Sequence, residues 1–394
     1  MQGQTVGSLE KRYITYQILR NVWLVGAIWL IYFRLFITDQ QVGILDAVSF
    51  GIGLLAEIPS GAMADNFGRK KMIILGLICA GAGNALQGLA NGYTALLIGQ
   101  TLLTAGWAFC SGADTALFYE SLGYAEGSSH WRKLVVRGGR AALMVTLLAE
   151  VVGAYLFRLS PRLPFIALGV VSFSAIAVIV GIHEAKIIKV KHTVAEYISG
   201  LKDGIKQLGH RNVIGYVPII IVVQGLFYTY GYGLLRPMLL TRFNFSATAG
   251  SWVLFACGLL TFFITKLQQK YVDRVPEKAA FATITLAAVI ALLAAVFPVG
   301  HAGLVLVAVL FAGEYLIEPW ISDGLNKHVS SRHRATALST ASFLKALPYV
   351  LLAPVIGALN VRGKLQYFLV GQALLCVIAL VVYVLLERTK QTIS

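Results

Sequence analysis

The chain has 394 residues, of which 57% are hydrophobic and only 13% are charged. About a quarter of the residues are charged in an ordinary soluble domain, so this composition, with a mean hydropathy of +0.74, excludes a water-soluble fold. The formal net charge of +15 does not indicate nucleic-acid binding, because the basic residues are spread over many segments instead of forming one stripe.

Apolar segments long enough to cross a bilayer recur along the whole chain. A helix needs roughly 20 apolar residues to span the hydrocarbon layer, and these segments are apolar on all sides. The predicted spans are 13–36, 41–62, 71–90, 93–120, 132–157, 164–182, 213–240, 246–270, 278–297, 301–325, 335–360 and 365–387. We therefore predict an all-α membrane protein with twelve transmembrane helices.

The basic residues lie unevenly on the two sides of these spans. If the amino terminus is inside, most of the 33 Lys and Arg residues fall on the cytoplasmic side. This asymmetry follows the positive-inside rule. It predicts a multi-pass protein of the inner (plasma) membrane with both termini in the cytoplasm.

The longest polar stretch, from about His183 to Asn212, separates two halves of the chain that contain similar sequence segments. "GADTALFYESL" in span four has a counterpart in "GEYLIEPWISDGL" in span ten. We predict a six-helix bundle over 1–182, a cytoplasmic linker over 183–212 and a second six-helix bundle over 213–394. Repeated halves of this kind are how many carriers build one central site that is reachable from either side.

A motif follows the second span, and it consists of Gly61, Asp65, Gly68, Arg69 and Lys70. This pattern resembles the loop between helices two and three of the major facilitator superfamily. A degenerate second copy of the motif occurs at Asp273 and Arg274. With the six-plus-six layout, the resemblance covers essentially the whole chain and implies two pseudo-symmetric bundles. The Arg of many drug exporters is replaced by Gln100, and their Gly-Pro signature in helix five is missing, so no closer subfamily is assigned.

The resemblance implies that this loop is a gate. Asp65 and Arg69, with Asp114 or Glu120 at the inner end of helix four, would hold the two halves together in the outward-open state. We also predict a gating or packing role for Glu57, which precedes Pro59. The alternative is a solvated loop that merely obeys the positive-inside rule.

Helix seven carries a polar stripe, because Gln224, Tyr228, Tyr232 and Arg236 recur every four residues and share one face. An ionisable group near the bilayer centre costs roughly 2.5 to 3.5 kcal/mol on insertion scales. The resemblance implies that helices one, four, seven and ten line the cavity, so we predict that these four residues bind substrate. An aromatic interface belt with an outward-snorkelling Arg is the alternative.

Helix one carries Gln17 and Arg20 at the same kind of spacing, and we predict that they also contact substrate. Arg20 could neutralise a carboxylate in the cavity or snorkel to the inner headgroups.

Helix ten places Glu314 and Glu318 one turn apart, followed by Pro319. Two carboxylates on one face in a medium of low dielectric repel each other, so at least one is expected to hold a proton near neutral pH. We predict a role in proton coupling for both. The alternative is a fixed pair with Arg20 or Lys345.

Two further acids lie within predicted spans, Glu150 in helix five and Asp46 in helix two. A carboxyl group buried there needs a partner, a wet cavity or a function, and we predict that both take part in proton coupling.

These features favour a secondary carrier that works by alternating access and is coupled to protons. Export of amphipathic compounds is favoured slightly, because the stripes mix Tyr, Gln and Arg with apolar surface. Uptake or exchange of an organic anion is the rival, and it is motivated by Arg20, Arg236 and Lys345. A lipid flippase or a non-transporting receptor is the second alternative.

The expected partners are a small-molecule substrate, protons and membrane lipids, and we expect a monomer that binds no nucleic acid. An enzyme is not indicated, because the sequence has no Walker loop and no HExxH motif. No cofactor or metal is predicted, since the four cysteines fall inside spans at no metal-ligand spacing.

Overall fold

The computed structural model of the chain describes residues 5–123, 129–184, 194–330 and 333–391. Within these ranges the side chains of residues 58, 61, 62, 65, 194–198, 200, 201, 273, 335, 390 and 391 are outside the description. The roles predicted for Gly61, for the Asp65 carboxylate and for the second motif copy at Asp273 therefore lie outside the described part. The described residues form helices joined by turns and contain no strand.

The chain divides into two compact units. Unit 1 comprises Met1–Ile37 and Val48–Tyr197, and unit 2 comprises Thr38–Ala47 and Ile198–Ser394. The predicted division at 182 and 213 stays a prediction. Helix α3 begins in unit 2 and continues in unit 1, and α9 begins in unit 1 and continues in unit 2.

The helices of the first half are α1 (Val6–Arg20), α2 (Trp29–Phe33), α3 (Asp39–Phe67), α4 (Arg69–Gly88), α5 (Tyr93–Cys110), α6 (Ala113–Leu122), α7 (Ser129–Leu159) and α8 (Leu163–Val180). Those of the second half are α9 (Val194–Leu208), α10 (Tyr216–Pro218), α11 (Gly225–Gly231), α12 (Leu235–Arg242), α13 (Ala247–Tyr271), α14 (Glu277–Ala294), α15 (Leu304–His328), α16 (Arg334–Val361) and α17 (Leu365–Gln391). A π-helical segment, Ile219–Gln224, links α10 to α11, and short 3-10 helices occupy Val272–Arg274 and Gly300–Gly303.

Nine helices of the described part are long and apolar enough to cross a membrane, or ten if one bent pair is counted as a span. The prediction of an all-α membrane protein is confirmed. The count of twelve is not reproduced, because the predicted spans 13–36 and 41–62 are not among these helices. The second of them lies in α3, a helix of 29 residues.

The first predicted span, 13–36, is wrong as a continuous helix. It consists of α1 and the five-residue α2, separated by turn and irregular backbone. Helix α7 lies against this break: the Thr146 hydroxyl donates to the Asn21 carbonyl at 2.8 Å, and Gly153 contacts the Leu24 carbonyl. A side chain at Gly153 would collide with that backbone, so the close approach depends on glycine.

The seventh predicted span is also not a straight helix. It is formed by α10, the π-helical segment and α11, and α12 follows after a bend of 64° between Tyr216–Gly231 and Leu235–Arg242. A π-helical segment widens the turn and changes which residues share a face, as often happens at functional sites. The bend therefore redirects Arg236 away from the line of residues that precede it.

Small residues set the helix packing in both units. In unit 1, Gly76 and Gly83 of α4 contact the backbone of α5 at Gly106 and Gly99. Such contacts allow membrane helices to approach closely, and van der Waals packing then stabilises the pair. A second device is Gly112, whose φ of +73° lets the chain turn between α5 and α6.

In unit 2, the first turns of α3 pack against α16. Gly43 contacts the Ala353 carbonyl, and Gly357 contacts the Asp39 carbonyl. The Asn360 amide donates to the Asp39 carboxylate at 2.5 Å, close to the end of α16. This packing positions Asp46 beside α16.

Candidate functional site

The carboxylate of Glu318 on α15 meets donors from two other segments of unit 2. Lys345 Nζ of α16 lies 3.1 Å from Glu318 Oε2, and the Gln224 amide donates to the same oxygen. Glu318 is half-exposed, with 52% of its side chain accessible, whereas Gln224 is 5% accessible. The fixed pair with Lys345 that was considered from sequence is therefore present.

These three side chains line a cavity of about 160 Å³. The hydroxyl-bearing Ser322 and Ser342 also line it, and Leu325 contributes to an apolar wall. Gln224 Oε1 is buried and accepts no hydrogen bond from the described residues. The cavity therefore combines a cation, an anion and an amide acceptor.

Glu314 lies one turn before Glu318 and has a different partner. Arg236 Nη2 lies 3.4 Å from Glu314 Oε2, and both side chains are largely buried, at 11% and 17% accessibility. The same Nη2 donates to the Gly231 carbonyl at 2.6 Å. The rings of Tyr230 and Phe311 lie 5.2 and 5.4 Å from the guanidinium carbon.

Each acid of α15 thus has its own cation, so the two carboxylates are not left to repel each other. Arg236 was predicted to bind substrate. Its side chain instead contacts Gly231 at the end of α11 and Glu314 on α15, so it connects the bend between α11 and α12 to α15. The partner of Glu314 was not predicted, because the contact depends on a bend that periodicity does not reveal.

The predicted polar stripe of helix seven is only partly one surface. Tyr228 and Tyr232 stack at 5.0 Å, and Tyr232 is 58% accessible. Gln224 is buried in the π-helical segment, and Arg236 lies beyond the bend. The four residues therefore sit in three environments.

In unit 1, Arg20 at the end of α1 is paired with Asp114 of α6. Arg20 Nη1 lies 3.3 Å from Asp114 Oδ2 and 3.0 Å from the Tyr16 hydroxyl, which itself contacts Asp114 Oδ2 at 3.3 Å. Tyr16 is completely buried. Gln17 packs against Gly138 of α7 and accepts a hydrogen bond from the Asn21 amide at its backbone carbonyl.

Glu150 of α7 lies in the interior of unit 1, with 4% accessibility. Its carboxylate lies against Gly26 in the break of the first span. The carboxyl group therefore lies beside the non-helical segment between α1 and α2.

Asp46 of α3 is almost completely buried in unit 2, at 1% accessibility. Its Oδ2 accepts a hydrogen bond from the Tyr349 hydroxyl of α16. Its Oδ1 is buried and accepts no hydrogen bond from the described residues. Tyr349 was missed from sequence, although it lies one turn after Lys345 in the same helix.

The loop motif joins the ends of three helices within unit 1. Arg69 pairs with Glu120 of α6, and Lys70 Nζ donates to the Val180 and Ile182 carbonyls at the end of α8, at 2.7 and 2.8 Å. The backbone amide of Lys70 donates to Glu184 at 3.3 Å, and Gly68 adopts a φ of +104° beside that carboxylate.

Of the two acids proposed for this loop, Glu120 is the one that meets Arg69, whereas Asp114 pairs with Arg20. Glu57 is exposed, in contrast to Asp46 on the same helix. Glu184 was missed, because it begins the stretch that was treated as a linker.

Among the described residues, no group of three or more His, Cys, Asp or Glu side chains could hold a metal ion. The cysteines Cys79, Cys110 and Cys376 are free thiols.

A family model described as Major Facilitator Superfamily matches residues 16–351. The solved nucleoside transporter NupG is similar at a TM-score of 0.71 and 12% identity, covering 96% of this chain and 98% of that chain. No curated protein sequence matches.

Two other solved structures are similar over nearly their full length. A bacterial homolog of the human lysosomal transporter Spinster has a TM-score of 0.68 and 16% identity, covering 98% of this chain and 96% of that one. A D-xylose-proton symporter has a TM-score of 0.68 and 14% identity, covering 96% of each chain. At these identities the similarity shows the fold alone.

Proposed function

The chain belongs to the major facilitator superfamily and is a secondary transporter, and on that premise we propose that it exports a small amphipathic organic solute in exchange for protons. Alternating access between the two sides of the membrane would move both. The direction is proposed from the mixture of aromatic, amide and charged side chains with apolar surface along the first and seventh spans.

One observation carries the proposal. Each basic residue that could have attracted an organic anion is paired with a carboxylate of its own unit: Arg20 with Asp114, Arg236 with Glu314, and Lys345 with Glu318. A cation that already has a carboxylate partner offers an anionic solute little net attraction, since the anion must also displace or repel that carboxylate. The pairing therefore supports a solute without net negative charge over the organic-anion alternative.

The same pairs support proton coupling. Protonation of a carboxylate releases its cation, and a released cation in low dielectric must find another partner or water. Glu314 is more buried than Glu318, and its partner Arg236 also bonds the Gly231 carbonyl at the bend. A proton on Glu314 would thus act directly on the bend in the seventh span.

Asp46 is proposed to carry the proton in the conformation described here. An ionised carboxylate in a buried position costs several kcal/mol unless donors compensate it. Asp46 has one such donor, the Tyr349 hydroxyl, and its Oδ1 accepts no hydrogen bond from the described residues. A neutral acid fits this environment better than an anion does.

Glu150 is proposed as the corresponding acid of unit 1. Its burial and its position against the break at Gly26 support this role, because a proton there would change what the released backbone can bond.

The gating role of the loop also stays a proposal. It is supported by the pair of Arg69 with Glu120 and by the hydrogen bonds from Lys70 to two carbonyls at the end of α8. These contacts make the ends of α4, α6 and α8 one connected element that can move as a body.

The test uses the purified chain in proteoliposomes with a solute found by a thermal-shift screen of metabolites and drugs. Under an imposed pH gradient the wild type should accumulate the solute against its concentration gradient, and solute movement should drive proton movement. At a solute concentration high enough to saturate a weakened site, the double variant Glu314→Gln, Glu318→Gln should still equilibrate the solute but lose accumulation, because neither site can release a proton.

The matched control is Asp323→Asn, which removes an acid from the same helix in an exposed surface pair with Lys327. It should accumulate solute as the wild type does. Undiminished accumulation by the double variant would remove both glutamates from the proton path, and binding without any flux would favour a receptor.

A further inference from the structure

The charged and polar groups that line the cavity beside Glu318 limit the kinds of solute that it can bind. Its polar wall carries one full positive charge on Lys345 and one full negative charge on Glu318, 3.1 Å apart. The third polar group is the Gln224 amide, whose nitrogen donates to Glu318. The net charge of this wall is zero.

The amide has an unused acceptor. Gln224 is 95% buried, as its 5% accessibility shows, and its Oε1 accepts no hydrogen bond from the described residues. A buried amide oxygen without a donor costs free energy of the order of 1–3 kcal/mol, which a bound donor can recover. The oxygen therefore marks a position for an N–H or O–H group of a ligand.

We propose that this cavity is the subsite for the head group of a zwitterionic solute, one that carries a primary ammonium group and a carboxylate close together. This inference rests on the proposed function, since the cavity would belong to the transport site. The ammonium would bond Glu318 and Gln224 Oε1, and the carboxylate would bond Lys345.

The donor count fits this assignment. A primary ammonium has three N–H donors, so it can serve the Glu318 carboxylate and Gln224 Oε1 at the same time and still bond a serine hydroxyl. The solute carboxylate needs a cation, which Lys345 supplies, and Ser342 lines the same cavity. The head group would therefore find a partner for each of its charges.

Charge balance explains the preference over simpler ions. When a zwitterion enters between Lys345 and Glu318, each protein charge exchanges its partner for one of the same sign, so neither is left unpaired. A pure anion would leave Glu318 without its cation, and a pure cation would leave Lys345 without its carboxylate, so either ion loses an attraction that the zwitterion keeps. An anion could enter with a proton on Glu318, and its binding would then strengthen at low pH.

The volume agrees with a head group of this size. A cavity of about 150 Å³ holds a group as large as benzene, so 160 Å³ accommodates the ammonium, the carboxylate and the carbon between them. The remainder of an amphipathic solute would extend outside the cavity.

The test compares ligands that differ only in charge. L-alanine, L-leucine and L-alanyl-L-alanine are each measured beside their methyl ester, which is a cation, and their N-acetyl derivative, which is an anion. Binding to the full chain in detergent is followed by isothermal titration calorimetry and thermal shift at several pH values. At least one zwitterion should bind at least about tenfold more tightly than both of its derivatives, with little change between about pH 5.5 and 7, where the amino groups stay protonated and the carboxyl groups stay ionised.

Variants then assign the effect to the cavity. Lys345→Met and Gln224→Leu should each lower the affinity for the zwitterion by about tenfold or more. Lys327→Gln, on an exposed turn of α15, should leave this affinity unchanged. The ligand comparison on the wild type needs no variant and so does not depend on whether a variant folds.

Tighter binding of an N-acetyl derivative, equal affinity within every set, or no binding of any ligand would overturn the zwitterion assignment. Binding of an N-acetyl derivative that strengthens at low pH and moves protons in proteoliposomes would overturn it while leaving proton coupling intact. Zwitterion binding without proton movement would support the subsite and contradict the coupling.

Discussion

Single ion pairs within the membrane-spanning helices decide how this chain accommodates its buried charges. Arg20, Arg236 and Lys345 each meet a carboxylate from another helix of the same unit. Insertion of an unpaired charge is costly, so the pairing lets these residues remain within apolar helices. Which acid meets which base depends on contacts between helices that are distant in sequence.

The Arg20 and Asp114 pair provides a stability prediction at this scale. Arg20→Met should lower the free energy of unfolding by about 3 kcal/mol, because it leaves the Asp114 carboxylate buried without its cation. The double variant Arg20→Met, Asp114→Asn should recover much of the loss, since no charge remains. Thermal unfolding in detergent would measure both.

Arg137→Met is the matched control, because Arg137 is 62% exposed and lies 4.0 Å from Glu10. An exposed pair of this kind contributes at most about 1 kcal/mol. If Arg20→Met were no more destabilising than this control, the buried pair would not stabilise unit 1.

At the scale of the element, two of the predicted spans are not continuous straight helices. The first is interrupted between α1 and α2, and the seventh contains a π-helical segment and a 64° bend. Released backbone groups within a membrane must be satisfied by neighbouring helices. At the first break this is seen at Asn21, whose carbonyl accepts the Thr146 hydroxyl.

Glycine substitutions on α7 test the support of that break. Gly153→Ala should destabilise the protein, because the added methyl group would collide with the Leu24 backbone. Overpacking typically costs about 1–3 kcal/mol. The loss would appear as a lower midpoint of thermal unfolding in detergent.

Gly139→Ala on the same helix is the control, since nothing lies within 4 Å of its added methyl group. It should be neutral or slightly stabilising, because alanine is the better helix former. Equal behaviour of the two variants would mean that α7 does not press on the break.

At the scale of the whole molecule, the direction in which successive spans cross the membrane determines which loops face the cytoplasm. The positive-inside rule predicts that both termini lie in the cytoplasm. The terms import and export for this protein are defined relative to this orientation.

Alkaline phosphatase fusions in a bacterial host test the topology, because that enzyme is active only when exported. A fusion after Arg162, between α7 and α8, should be active, whereas a fusion after Gly209, beyond α9, should be inactive. Green fluorescent protein fused after Ser394 should fluoresce, as expected for a cytoplasmic end. The opposite pattern would invert the assigned orientation.

The sequence by itself determined the membrane class, most of the spans, the family and the set of ionisable residues that need partners. Composition and hydropathy are sums over local residues, and a motif such as Gly68, Arg69 and Lys70 is contiguous, so both can be recognised without coordinates.

Only the tertiary structure decided where helices break and which charges meet. The break after Arg20 carries no proline and keeps its apolar character, so hydropathy passes through it unchanged. The pairing of Glu314 with Arg236 and of Asp46 with Tyr349 joins residues 78 and 303 positions apart. Such contacts arise from helix packing, which depends on the shapes of facing surfaces and not on the order of residues along one helix.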